Sequence, residues 1–200
     1  MNIEINEVDK LREDLVNVSK RVYNRGLTAG ISGNISARVP SCYNQILIKA
    51  SGKCLGDVSE DDFLRVDLDG NVIEGSGRPS IEVLFHCGIY KVRSEVNGIV
   101  HGHSPYSIAY VVAKAQLPVV TVAAEVEFSK IGIVDYAEPG SEKLAQNMIK
   151  VFEDTSVKAA FIKGHGFVTV GQDIINAYYL ADVLEDNFKV ACLIDLLSKN

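Results

Sequence analysis

Two histidines separated by a single residue, His101-Gly102-His103, stand out as able to do chemistry in this sequence. On an extended strand, residues i and i+2 face the same way, so both imidazoles can converge on one divalent ion. Only four histidines occur. A third, His165, lies between Gly164 and Gly166 at what reads as a turn, where a histidine has no packing purpose and is free to project. Three imidazoles with an open position form the pattern of catalytic rather than structural zinc. Glu82 would be the carboxylate partner, near the start of a helix, where a glutamate also serves simply as a favourable dipole interaction. His86 follows at i+4 and reads as a hydrogen-bonding residue on the buried side of that helix, with support of the metal site as the sharper alternative.

Two small-residue loops, Ser32-Gly33-Asn34 and Ser51-Gly52, and Ser80 beside them offer backbone N–H groups and hydroxyls that suit a phosphate. Each alone is also an ordinary turn. Neither glycine loop has the spacing of a P-loop or a dinucleotide fingerprint, so nucleotide binding is not the reading.

These residues need elements to hold them. Val8, Leu11, Leu15, Val18 and Val22 recur at three- and four-residue spacing, which predicts an opening helix that Gly26 terminates. Ile35 to Val39 and Ile46 to Lys49 read as strands. Phe63 to Leu68 and Asn71 to Glu74 read as a hairpin around Asp69-Gly70. After Pro79, Ser80 is expected to cap a helix carrying Glu82, Phe85, His86 and Ile89. Gly98 to His101 reads as a buried strand, Pro105 as a helix start, and Val119 to Val122 as strand-like. Pro139, Ser141 and Glu142 open an amphipathic helix. Ala159 to Lys163 and Phe167 to Val170 form a hairpin with His165 at its tip, and a helix from Ile174 to Leu197 closes the chain. The mixture, with strands joined by hairpins, predicts an α/β fold with a largely antiparallel sheet.

At 200 residues, with 47 % hydrophobic and 23 % charged residues, the chain has the length and composition of one ordinary globular domain, 1–200. A net charge of −6 argues against a dedicated nucleic-acid binder, which needs clustered cations. Met1 to Arg12 lacks the hydrophobic block of a signal peptide, and the most apolar stretch, Ile108 to Ala124, is interrupted by Lys114, Gln116 and Pro118. A cytoplasmic protein without membrane contact is expected. Cys42, Cys54, Cys87 and Cys192 are scattered without a CxxC pair and read as free thiols.

Taken in order, Gly26-Leu27 with Gly33-Asn34-Ile35-Ser36, Ala50-Ser51-Gly52, Pro79-Ser80-Ile81-Glu82, His101-Gly102-His103 and Gly164-His165-Gly166 resemble the class II aldolase family over nearly the whole chain. The resemblance implies a three-layer αβα fold with a central, largely antiparallel sheet, assembled as a homotetramer with active sites where subunits meet. It implies zinc, or another divalent transition metal, on His101, His103 and His165. Glu82 would be the acid/base and Gly33, Asn34, Ser51, Gly52 and Ser80 the phosphate cradle. The activity implied is a lyase that cleaves or condenses a small phosphorylated ketose such as L-fuculose 1-phosphate through a metal-stabilised enediolate.

The chain departs from the family's aldolases at three points. Ile81 stands where they have a second serine, Val122 stands where they have a tyrosine acid, and the tail tyrosine has no counterpart. Tyr106, Tyr110, Glu125 and Glu127 are the nearby candidates for a replacement proton donor. The departures keep epimerase, dehydratase and sugar-acid decarboxylase chemistry as alternatives on the same metal site. A non-catalytic interaction module, like the related adducin, is disfavoured because all three histidines and Glu82 are kept.

Overall fold

The apolar stripe at the start of the chain forms the inner face of helix α1 (Asn2–Asn24), on which Leu15, Val18 and Val22 are buried. A computed structural model describes residues 2–114 and 116–198; Met1, Ala115, Lys199 and Asn200 lie outside the described residues, so part of the leader reading and of the Ile108 to Ala124 stretch does too. After α1 come strands β1 (Asn34–Val39), β2 (Cys42–Lys49), β3 (Phe63–Asp67) and β4 (Val72–Glu74), then helix α2 (Val83–Val92) and strand β5 (Gly98–Gly102). Helices α3 (Pro105–Ala113) and α4 (Val122–Glu127) follow, then β6 (Lys130–Val134), α5 (Glu142–Phe152), β7 (Val157–Ile162), β8 (Gly166–Gly171) and α6 (Ile174–Leu197).

The strands form one sheet in the order β4-β3-β2-β1-β5-β8-β7-β6. Among the described residues every pairing is antiparallel except β6 with β7. Alternation of side chains along the strands divides the interior into two cores. Ile35, Ala37 and Val39 of β1 face the layer of α1, α3, α4 and α6, built on Leu15, Leu184 and Phe188. Ile46, Ile48 and Ile99 face α2 and α5, which pack on each other around Phe85, Met148 and Phe152. The expected three layers with a largely antiparallel centre are therefore present. The C-terminal end of α2 is fixed by Arg93, whose buried guanidinium donates to the carbonyls of Phe152, Asp154, Thr155 and Val157.

Three local expectations are corrected. Val119 to Val122 is not a strand: the side-chain oxygen of Asn187 on α6 accepts from the N–H groups of Val120 and Thr121, and Thr121 then caps α4. Those backbone donors are satisfied without a ladder, which overrides β-branched composition. Ser80 does not cap α2. Ser80 N–H donates to Lys49 O and Ala50 bridges Pro79, which ties the chain to β2 as far as Ser80; it then turns at Ile81 and Glu82, with Val83 N–H donating to Ser80 O, so Glu82 occupies the position before the first helical residue. Strand β6 was not expected; Ile131 and Ile133 alternate about Gly132 over too few residues to stand out. All four cysteines are free thiols, as expected, and among the described residues no helix is long and apolar enough to cross a membrane.

Candidate metal centre and active-site cleft

Strand register brings the first chemical residues together. Asn34 on β1 lies directly opposite His101 on β5, and His101 lies opposite Val168 on β8. Cross-strand partners share a face, so the Asn34 and His101 side chains both point toward α2, where Glu82 stands at the start of the helix. His103 lies just beyond the end of β5 and faces the same way. Its backbone N–H donates to Leu27 O at 2.8 Å. His165 sits in the turn between β7 and β8, with its N–H bonded to Ile162 O at 3.0 Å. Gly166 admits this packing, since a Cβ there would lie 2.3 Å from Gly102 O and 2.7 Å from the His103 ring.

The three imidazoles converge. Their ring centroids lie 4.7 to 5.0 Å apart, and one nitrogen from each lies within 4.8 Å of the others. His165 is therefore half-buried against its partners rather than projecting into solvent. The Nδ1–H of His101 donates to Phe167 O at 2.8 Å, which directs Nε2 inward. That Nε2 lies 2.9 Å from His103 Nε2 and 3.1 Å from Glu82 Oε2. Glu82 Oε1 lies 3.4 Å from His165 Nε2 and makes no hydrogen bond, and His165 Nδ1 is also buried without a partner.

Burial opposes charge on both Glu82 and His101, but their mutual attraction wins. The Glu82 carboxyl is held well below the usual carboxylate range by His101, Asn34 and His165, and the His101 imidazole is raised by Glu82. Burial and the neighbouring imidazoles push His103 down to about 3 and lower His165 as well, so both keep free lone pairs at neutral pH. Two imidazole nitrogens tip to tip beside a carboxylate can share one proton, and a divalent cation satisfies all of them at once. The unpartnered buried atoms and the nitrogen donor set thus fit a metal ion.

A cleft of about 410 Å³ opens beside this cluster, lined by His103, His165 and Glu82 together with Gly33, Asn34, Ser51, Gly52 and Ser80. All five residues expected to receive a phosphate therefore line one cavity with two of the expected metal ligands, His103 and His165, while His101 is fully buried beside them. Gly33 has φ +74°, and a Cβ there would meet Thr28 Oγ1 at 2.7 Å and His101 O at 2.9 Å, so the loop closes over β5 only because that position is glycine. Lys49 was missed. As the last residue of β2 it reads as an ordinary strand-end cation, yet it is buried in the cleft wall. Its ammonium donates to Ile31 O at 3.2 Å and Lys53 O at 2.5 Å, and an ammonium has a third donor to offer. Burial lowers it to about 8 against the pull of Cys54 and Glu82.

The model of the class II aldolase and adducin N-terminal domain matches residues 13–192. The chain belongs to the class II aldolase family. This class II aldolase is 35% identical to the L-fuculose phosphate aldolase of Methanocaldococcus jannaschii, over 94% of its own length and 98% of that protein's. It is 30% identical to a 3-oxo-tetronate 4-phosphate decarboxylase of Haemophilus influenzae, over 90% of its length and 85% of that protein's. Among solved structures, an L-fuculose 1-phosphate aldolase superposes with a TM-score of 0.86 at 26% identity, covering 94% of this chain and 87% of the other.

The departures noted in the sequence have definite surroundings in this class II aldolase. Ile81 lines the cleft with its side chain largely exposed, against Gly140 of the loop before α5. Val122 is 76% exposed at the start of α4. Of the four residues considered as replacement proton donors, Tyr110 packs on Phe188, Tyr106 lies under Lys189, Glu127 pairs with Lys158 and Glu125 is exposed. None of them lines the cleft.

Proposed function

We propose that this chain is a single class II aldolase-like domain, residues 1–200, acting as a zinc-dependent lyase. Its substrate is a small phosphorylated ketose, with L-fuculose 1-phosphate the leading candidate, as the names of its relatives suggest. One observation carries this reading: His103, His165 and the buried Glu82 carboxylate line one cleft together with small-residue loops and a buried cation, and His101 is buried behind them within the same imidazole cluster. His101, His103 and His165 would hold the ion, which when bound supplies Lewis-acid stabilisation of the charge that develops on the substrate as the C–C bond breaks.

The chain's own residues do the rest. Gly33, Asn34, Ser51, Gly52, Ser80 and Lys49 bind the phosphate and so hold the scissile bond near Glu82, lowering the barrier through orientation. Glu82 carries the proton on Oε1, the oxygen without a hydrogen bond, while Asn34 holds Oε2 at 2.8 Å. Val119, Val120, Val122 and Val126 are exposed around α4, the kind of apolar surface that a subunit boundary covers, which supports a homotetramer with active sites between subunits. A cytoplasmic location without nucleic-acid or membrane partners accords with a net charge of −6.

A retro-aldol assay coupled to triose-phosphate reduction tests the reading. Triose phosphate should form from at least one member of a panel of phosphorylated ketoses. Its absence across the panel rejects the lyase. A second reading, decarboxylase of a phosphorylated sugar acid, is favoured by the composition of the cleft. Loss of carbon dioxide leaves a carbanion that takes up one proton, which Glu82, ionised at neutral pH, would relay from water without a second side-chain acid; a panel of phosphorylated keto acids scored for carbon dioxide separates the two.

Lys49 gives a sharper expectation. Replacing it with Met should raise KM for the phosphorylated substrate about 10- to 100-fold, the worth of a hydrogen bond to a charged group, with metal content unchanged. Because the ammonium loses its charge as pH rises through about 8, the unmodified enzyme's KM should climb above that pH. The Lys49→Met KM should be high and flat. A variant with unchanged KM removes Lys49 from the phosphate site.

A further inference from the structure

Behind the Glu82 carboxylate, away from the metal ligands, runs a line of buried side chains. Glu82 Oε2 accepts from Asn34 Nδ2 at 2.8 Å, Asn34 Oδ1 lies 2.5 Å from His86 Nε2, and His86 Nδ1 lies 2.7 Å from Ser36 Oγ. The Tyr90 hydroxyl closes the line, donating to Ser36 O and lying 3.0 Å from Ser36 Oγ. Ser36 and His86 are fully buried, and Tyr90 nearly so.

The direction of every bond in this line follows from its end. A carboxylate only accepts, so Asn34 must turn its amide nitrogen to Glu82 and its oxygen to His86. His86 must then donate from Nε2. Burial, with the charge of His101 adding to it, lowers the His86 imidazole to about 3 and keeps it neutral. Neutral and protonated at Nε2, it accepts at Nδ1 from the Ser36 hydroxyl. Turning the Asn34 amide over would set its oxygen against the carboxylate and its N–H against the imidazole N–H, two contacts between like partners in a buried site.

We propose that His86 is a positioning residue: its Nε2–H fixes the Asn34 amide, and through that amide it sets the orientation in which Glu82 meets the substrate. The inference rests on the reading of Glu82 as the proton carrier. His86 touches neither substrate nor ion. An asparagine amide rotates over a broad torsion with nearly equivalent faces, so without this donor its oxygen is buried unpaired and its grip on Glu82 loosens.

Two measurements test it. In zinc-loaded enzyme, His86→Met should lower kcat about 10- to 100-fold, as loss of a group that orients a metal site's ligands commonly does. His86→Gln, whose amide can present an N–H in place of Nε2, should restore kcat to within about threefold. In an Asn34→Ala background, His86→Met should change kcat less than about twofold, because the two residues act in series. An equal loss in both backgrounds overturns the proposal. Independently of turnover, two-bond 1H–15N correlations of histidine-labelled protein should show His86 protonated at Nε2 only. Protonation at Nδ1 overturns the proposal even in an active enzyme. An inactive wild type with His86 protonated at Nε2 refutes the lyase reading and leaves the hydrogen-bond assignment standing.

Discussion

Glu82→Gln should lower kcat by about 10²- to 10⁴-fold, the usual contribution of a positioned proton carrier, while leaving the fold and most of the metal in place. The substitution is isosteric. Asn34 can still donate to a side-chain oxygen at that position, and His101 is still held from behind by Phe167 O. What is lost is the negative charge and the basic Oε1, the buried atom that makes no hydrogen bond within the chain. A merely structural carboxylate would behave differently. It would show lowered stability in denaturant unfolding and near-normal kcat per folded, metal-loaded chain. Steady-state kinetics on protein of measured metal content therefore decides, and a kcat within about threefold of wild type refutes the role assigned to this residue.

His101→Ala should abolish both metal binding and turnover. His101 is the fully buried member of the triad, its Nδ1–H is committed to Phe167 O, and its Nε2 lies near both His103 and Glu82. Its removal takes away a ligand and leaves Glu82 buried without its nearest imidazole. Loss of one imidazole from a three-histidine site lowers affinity by orders of magnitude, so the variant should contain less than about one tenth of an ion per chain when purified without chelators. Wild-type protein should carry about one. Elemental analysis with activity on the same samples is the check. A variant that keeps a full complement of metal contradicts the assignment.

Much of the site was legible because its chemistry depends on short-range spacing. The HxH pair needs only a strand to place both imidazoles on one face, and Gly98 to His101 reads as a strand from its β-branched pair, Ile99 and Val100. The flanking helices were legible for local reasons too: α1 carries an apolar three- and four-residue period, and α6 is a long apolar segment without glycine or proline. What escaped depends on contacts between distant residues. The segment Val119 to Val122 looks like a strand until Asn187, far along the chain, takes its N–H groups. Lys49 looks like a surface cation until the loops around Ile31 and Lys53 fold over it. Strand order is invisible for the same reason. Placing β1 between β2 and β5, which brings Asn34 opposite His101, is a choice of pairing partner that no local pattern records. His86 was partly legible: its spacing from Glu82 put it on the buried side of α2, but not against Asn34.

Residues of β5 and its end and of the β7–β8 turn would together hold one divalent cation beside Glu82. Anomalous diffraction from crystals of protein purified without chelators, collected on both sides of the zinc edge, tests it most directly. One strong peak per chain should appear, within bonding distance of a ring nitrogen of His101, His103 and His165 together. An absent peak in zinc-supplemented crystals, or a bound ion from which His165 stands apart, would contradict it.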